Sequence, residues 1–348
     1  MKKKMILVLS VVILASCNQF GGKSNEFSDE DSLTQILNQK ETELKKVLET
    51  TDDPEVQYQL AQCYYAKEDF KEAVKWYRKA AEQNYAEAQN SLGDCYYDGE
   101  GCEQDYDEAF KWYKKAAEQN HAEAQNNLGM CYNDGEGCEQ DYDEAVKWFK
   151  RAAGQNNMYA QFNLGESYFE GEGCEQDYTE AVKWYRKAAA QGFDEAQYNL
   201  AEAFWYGRGC KQDYTEAAKW YRKAAEQNHA AAQNMIGNCY FSGKGCKQDL
   251  AEAVRWFKKA ADQGNIRGQR NLGSCYCWGD GCKKDYKEAM EWYKKAAAQN
   301  DAESQYNIGV LYLNGDGCEQ DSQEAMRWFT RAAEQGHKEA KEALSKLF

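Results

Sequence analysis

The residues of this chain best equipped for chemistry are its cysteines, 14 in all. Seven recur every 36 residues: Cys102, Cys138, Cys174, Cys210, Cys246, Cys282 and Cys318. Four more, Cys95, Cys131, Cys239 and Cys275, stand seven residues ahead of a ladder member. A loop that folds back over the end of its own helix can bring such thiols within bridging range. The spacing therefore predicts disulfides Cys95–Cys102, Cys131–Cys138, Cys239–Cys246 and Cys275–Cys282. Adjacent ladder members are expected about 9–10 Å apart, the spacing of packed helices, which is too far to bridge. An alternative stays open: free Cys is a small buried hydrophobe. Ser167, Ala203 and Leu311 stand where three repeats would need the helix partner, so those loops manage without a bridge. Cys63 and Cys277 lie outside the pattern.

Other chemistry finds little support. There is no C-x-x-C and no Cys/His cluster of metal-ligand spacing. His121, His229 and His337 share one repeat position three units apart, roughly 30 Å from each other at helix-packing spacing. They cannot share a metal or serve a Cys nucleophile. The carboxylates Asp98, Glu100, Glu103 and Asp105 do not have the spacing of a calcium loop. No G-x-S-x-G, S-x-x-K, H-E-x-x-H or phosphate-binding loop occurs. The reading is a non-enzyme with no cofactor and no metal.

The elements that position these residues follow from the same period. One unit reads, from Tyr85, Y-A-E-A-Q-N-S-L-G-D-C-Y-Y-D-G-E-G-C-E-Q-D-Y-D-E-A-F-K-W-Y-K-K-A-A-E-Q-N. Ala86, Ala88, Leu92, Gly93 and Tyr96 share one helix face; Ala109, Trp112, Tyr113, Ala116 and Ala117 share another. Paired glycines, Gly99 and Gly101, break the chain between them. Asp105 with Glu108 reads as a capping box at the second helix. Asn84, Asn120, Asn156, Gly192, Asn228, Gly264, Asn300 and Gly336 close the second helices, as a left-handed cap requires. A period of this size predicts an all-α, α/α superhelical solenoid, because one unit cannot bury its apolar face alone.

The pattern A-x-A-Q-x-x-L-G-x-x-Y-x-x-G-x-G-x-x-x-D-Y-x-E-A-x-x-W-Y-x-K-A-A resembles the Sel-one-like repeat family, itself related to tetratricopeptide repeats. The resemblance covers 85–336 in seven copies. Residues 53–84 lack the Gly-x-Gly loop and look like a plain tetratricopeptide repeat. A protein-binding or peptide-binding scaffold is what the resemblance implies. Carried onto this chain, the concave positions of the related fold include Tyr97, Asn126, Phe162, Phe169, Tyr198, Trp205, Asn234, Phe241 and Tyr306. The aromatics among them would form a stripe, with Asn side chains holding a peptide backbone. Cys replaces the usual aliphatic residue of the loop in every full repeat. Some cysteine-rich relatives carry a weak β-lactamase label, which is the enzymatic alternative; a structural spacer without a ligand is the other.

The ends have a different character. Residues 1–16 read as a signal segment: a basic start, an apolar run too short to span a bilayer, and Leu14-Ala15-Ser16-Cys17, which resembles a lipobox. That implies a lipid on Cys17 and a bacterial envelope location, the membrane being reached through the anchor alone. Export would favour oxidised thiols. Residues 17–31 read as an acidic flexible tether, 32–52 as an amphipathic capping helix and 337–348 as a capping helix at the other end. The formal net charge of −15 disfavours nucleic acid and anionic lipid. It suits solubility or a basic partner. The acidic side chains are read as concentrated in the Gly-x-Gly loops and caps, with Lys111, Lys114, Lys115 and their equivalents late in the second helices, as the helix dipole favours. A monomer is expected.

Overall fold

The computed structural model describes residues 29–347. The signal segment, Cys17 and most of the tether lie outside the described residues. Among those described, the regular structure is helical throughout, in 18 helices. They fall into two compact units, one running up to Ser167 and including Gly171–Glu175, the other holding Tyr168–Glu170 and Gln176–Phe348.

The first unit contains α1 (Asp29–Leu48), α2 (Pro54–Ala66), α3 (Phe70–Glu82), α4 (Ala86–Asp98), α5 (Tyr106–Glu118), α6 (Ala122–Asp134), α7 (Tyr142–Gly154) and most of α8 (Met158–Glu170). The second contains α9 (Tyr178–Ala190), α10 (Asp194–Tyr206), α11 (Tyr214–Glu226), α12 (Ala230–Ser242), α13 (Leu250–Asp262), α14 (Ile266–Trp278), α15 (Tyr286–Ala298), α16 (Ala302–Asn314), α17 (Ser322–Glu334) and α18 (Lys338–Leu347). Within each unit, helices adjacent in sequence pack as antiparallel neighbours, as short connections require. The fold class is the all-α solenoid of helix–loop–helix repeats.

The core is one apolar position repeated. Leu60, Leu92, Leu128 and Leu164 in the first unit are fully buried, as are Leu200, Ile236, Leu272 and Ile308 in the second. Burying each such side chain contributes about 2–3 kcal/mol. Gly93 lies under the Tyr113 ring, and a Cβ there would sit 2.6 Å from it. Gly101 has a positive φ and sits against the Phe70 carbonyl of the preceding repeat, so its lack of a side chain serves both backbone and packing. The α1 helix adds Leu37 and Leu44 to the first unit's buried residues. In the second unit α18 packs on α17 through Ala340 and leaves a charged face outward.

The caps form with one correction. Asp105 accepts from the Glu108 amide (3.0 Å), and Asp249 accepts from that of Glu252 (2.9 Å). The reciprocal half of the capping box is not made. The Asp105 amide donates to the Tyr96 carbonyl instead (2.9 Å). Glu108 is thereby released to pair with Lys111 (2.8 Å). The left-handed residues at the ends of the second helices all have positive φ, from Asn84 to Gly336.

Polar side chains stitch repeat to repeat. In the first unit Gln119 donates to Gln89 (2.6 Å) and Gln155 to Gln125 (2.7 Å). Gln89 itself donates to the Ala81 carbonyl (3.0 Å). The second unit repeats the bond between Gln263 and Gln233 (2.7 Å). These buried amides satisfy carbonyls at helix ends that would otherwise be left without partners. The late Lys and Arg of the second helices do more than meet the dipole. Lys115 sits 3.8 Å from the centroid of the Trp112 ring, and Lys223 sits 3.9 Å from that of Trp220.

Candidate functional site

The cysteine ladder sits where the loop folds back. Cys102 Sγ lies 3.5 Å from the Cys95 carbonyl and Cys138 Sγ 3.4 Å from that of Cys131. Cys174 makes the same contact with Ser167 (3.4 Å), and Cys318 with Leu311 (3.7 Å). The loop therefore takes this shape whether or not a helix cysteine is present. All thirteen cysteines among the described residues are free thiols here, including the eight predicted to pair. Burial raises the thiols of Cys131, Cys239 and Cys275 to about 12, and that of Cys95 further. Protonated thiols are poor nucleophiles and poor metal ligands. Among the described residues no group of three His, Cys, Asp or Glu is placed to hold a metal.

Three predicted ligand-binding residues belong to the first unit. Tyr97 donates its phenol to Glu136 of the next repeat and packs edge-on against Tyr106, 5.2 Å between centroids. Burial and Glu136 together hold that phenol well above its ordinary range. Phe162 is partly exposed. Asn126 is a correction: it is only 4% exposed, and its side-chain carbonyl accepts from Asn163 (2.9 Å). Its carbonyl is spent on the seam between repeats and its NH2 on Asn127 and Met130 of its own helix, not on a peptide.

The remaining six lie in the second unit. Asn234 repeats the correction, being 2% exposed with its carbonyl accepting from Asn271 (2.8 Å). Tyr198 stacks on His229 with 4.8 Å between ring centroids, and Tyr306 stacks on His337 at the same distance. Trp205 packs against Tyr214 (4.9 Å) and carries Lys244 of the next repeat over its face (5.1 Å). Phe169 packs against Tyr178 (5.1 Å) and meets Arg208 (5.8 Å). Phe241 lies over Phe257 (6.3 Å) and is 37% exposed. Phe169, Trp205 and Phe241 thus pack on the second helix of their own repeat, and Tyr198 and Tyr306 stack on the residue that opens the next.

What the second unit does bring together is an open cleft of about 450 Å³. Tyr198, Asn234, Met235, Asn265, Arg267 and Gln299 line it. They come from the first two turns of α10, α12 and α14 and from the tight turns beside them. Burial pushes the Tyr198 phenol up to about 12, so it is a hydrogen-bond donor at neutral pH. The cleft offers an aromatic face, a guanidinium and amides, a combination suited to a peptide. Arg267 and Gln299 were not singled out from the sequence, because only packing places them beside Tyr198.

Two further groups escaped the sequence reading. The three histidines are helix N-caps: His121 accepts from the Ala124 amide through Nδ1 (3.2 Å), His229 from Ala232 (3.0 Å) and His337 from Ala340 (3.2 Å). That bond leaves Nε2 as the protonated nitrogen of the neutral ring, facing Glu195 from His229 (3.0 Å) and Glu303 from His337 (3.2 Å). The loops are also not uniformly acidic. Glu100, Glu103, Glu136 and Glu139 fill them in the first unit, whereas at the same positions the second carries Arg208, Lys211, Lys244, Lys247 and Lys283 alongside Asp280, Asp316 and Glu319. The signal was present in the repeat alignment but is hidden by the net charge.

The repeat model for Sel1 matches residues 86–121, 122–157, 159–193, 194–229, 230–265, 266–301 and 302–337. The chain belongs to the Sel1-repeat family. A tetratricopeptide-repeat model matches residues 54–85 ahead of the Sel1 repeats. A solved structure from uropathogenic Escherichia coli, described as a protective antigen with this repeat fold, is 36% identical with a TM-score of 0.82; the match covers 88% of this chain and 67% of that one. A Sel1-repeat protein from Oxalobacter formigenes is 33% identical, with a TM-score of 0.63, over 70% of this chain and 96% of its own. No curated protein matches the sequence. No helix among the described residues is long and apolar enough to cross a membrane.

Proposed function

We propose that this Sel1-repeat chain is a binding scaffold without catalytic activity that takes a peptide or protein segment in the cleft at Tyr198, Met235 and Arg267. The cleft carries the proposal: it joins the Tyr198 ring to the Arg267 guanidinium on the first helices, the face on which stacked repeats receive partners. The raised thiols argue against a cysteine nucleophile, and the N-cap role of the histidines removes them as general bases. A basic partner, suggested by the charge balance, suits the acidic loops of the first unit.

The test compares capture from a bacterial envelope extract by wild type, Tyr198→Ala and Arg267→Glu. A protein retained by wild type and lost by both variants, with helicity unchanged, is the expected result. Capture unaffected by either change removes the cleft as the site. Purified protein should not turn over a chromogenic β-lactam; turnover would revive the enzymatic alternative. Absence of any retained protein would favour the spacer.

Lipid attachment at Cys17 belongs to the same proposal and places the scaffold at the bacterial envelope. The similar Escherichia coli protein being a protective antigen is in keeping with an exposed location. Cys17→Ser should move the protein from the detergent phase to the aqueous phase; unchanged partition would overturn the anchor. In that oxidising setting we propose the bridges Cys95–Cys102, Cys131–Cys138, Cys239–Cys246 and Cys275–Cys282, supported by the loop thiols lying against the helix-cysteine carbonyls. Alkylation without reductant should leave these eight unlabelled, and complete labelling would end the pairing.

A further inference from the structure

The second unit carries a surface at the opposite end of the first helices from the cleft. Along these helices the two are separated by about 10–17 Å, the rise of the residues from Asn234 to Phe241 and from Arg267 to Trp278. There the last turns of α10, α12 and α14 meet the Gly-x-Gly loops. Tyr206 is 53% exposed, Phe241 37% and Trp278 71%. Three successive repeats thus each present one large aromatic to solvent. Around them stand six exposed cations, Arg208, Lys211, Lys244, Lys247, Lys283 and Lys284.

These charges are not neutralised locally. Among the described residues none of the six has a carboxylate within ion-pair distance. Lys244 lies over the Tyr214 ring (3.8 Å), Arg208 beside Tyr206 (5.3 Å) and Lys284 over Tyr286 (4.4 Å). The nearby Asp213, Asp249 and Asp285 are engaged by backbone amides at helix N-termini. Asp280 is the acidic exception in these three loops. The loops are also held in shape. Gln212 donates to the Trp205 carbonyl (2.8 Å) and Gln248 to that of Phe241 (2.8 Å), strapping each loop to the helix before it. Lys284 replaces this Gln in the third loop and exchanges the strap for a charge.

We propose that this edge binds an extended acidic polypeptide segment that also carries apolar side chains. Exposed Tyr and Trp beside Arg are the composition of binding hot spots, and the positive charge of the Arg and Lys around them selects an acidic ligand. The repeat sets the spacing. Neighbouring helices lie about 8–10 Å apart, and an extended chain advances about 3.3 Å per residue. An acidic residue at every third position would therefore meet one loop after another. A long polyanion such as nucleic acid would also feel the chain's net charge of −15. A short segment feels chiefly the local patch, because screening falls off within about 8 Å at physiological salt.

The experiment measures fluorescence anisotropy of a fluorescein-labelled (Glu-Gly-Phe)4 peptide with the purified full chain, against (Gln-Gly-Phe)4 and (Lys-Gly-Phe)4. The acidic peptide should bind at least about tenfold tighter than the other two and weaken on raising salt, as screening of exposed charge requires. Lys211→Glu/Lys247→Glu/Lys283→Glu should abolish binding with helicity unchanged. Trp278→Ala should weaken it about tenfold while retaining the salt dependence. Equal binding of the acidic and Gln peptides, or undiminished binding by the triple variant, overturns the proposal. So does binding of phosphatidylglycerol vesicles, single-stranded oligothymidine or a second copy of the chain in the absence of acidic-peptide binding. Because the substitutions avoid Tyr198 and Arg267, loss here leaves the cleft untouched, and the two proposals fail separately.

Discussion

The two units meet the same demand with opposite chemistry. In the first, Tyr65 and Tyr97 donate phenols to Glu100 and Glu136 in the loop of the following repeat. In the second, Phe169 and Trp205 sit at the matching positions, and the loop residues above them are Arg208 and Lys244. A phenol offers a proton, so a carboxylate caps it; an indole or phenyl face offers π-electrons, so a cation caps it. The fold requires that loop and preceding helix touch at this register. It does not require a particular chemistry, and the exchange makes the loops at Arg208–Lys211 and Lys244–Lys247 basic where those of the first unit are acidic.

The comparison is tested first where the units should not differ. Leu92→Ala and Leu272→Ala each empty a fully buried site. Each should cost about 3 kcal/mol, measured as a fall in the urea midpoint of helicity. A much smaller loss in one unit would show that its core is built differently.

A buried carboxyl of the first unit should come next. Asp94 accepts from Tyr113 (2.8 Å) and Asn127 (3.2 Å), and burial followed by the nearby Glu123 raises its carboxyl to about 7. The native state therefore holds a proton that the unfolded chain releases above its ordinary value of 3.8. Stability from this group is fully present below pH 4 and is lost as pH rises from about 4 to about 7. Asp94→Asn should remove that slope and gain on the order of 1 kcal/mol at neutral pH relative to wild type. A pH profile identical in both proteins would contradict the assignment.

Removing a cap should cost less and equally in both units. Asp105→Ala and Asp213→Ala each delete the acceptor for a first-turn amide, with an expected loss of about 1 kcal/mol by thermal melting. The smallest effect sharpens the contrast most. Glu136→Lys and Lys244→Glu should each cost about 0.5–1 kcal/mol. Adding Tyr97→Trp to Glu136→Lys should recover part of the loss, and a double-mutant cycle with no coupling would mean the loop contacts contribute nothing.

The helix pairs were legible because their determinants are local or periodic. Leu92 and its copies repeat every 36 residues, Asp105 caps three residues ahead, and Asn120 closes its own helix. The candidate site was legible only in part. Tyr198 was identified from its offset to the repeat glycine position, yet Arg267 and Gln299 come from other repeats. Asn126 and Asn234 occupy concave offsets in the related fold, but each meets an Asn 37 residues later in the chain and is buried by it. Glu108 looked like half of a capping box until the Tyr96 carbonyl took the amide it would have met.

By itself the sequence determines the unit: two amphipathic helices, a glycine-bounded loop, caps at fixed places, and too much apolar surface per unit to stand alone. Those properties need only contacts within a few turns of chain. The tertiary structure decides which polar side chain is spent between repeats and which is left facing outward. That choice depends on the atoms facing each group across the seam, and those atoms lie a full repeat away.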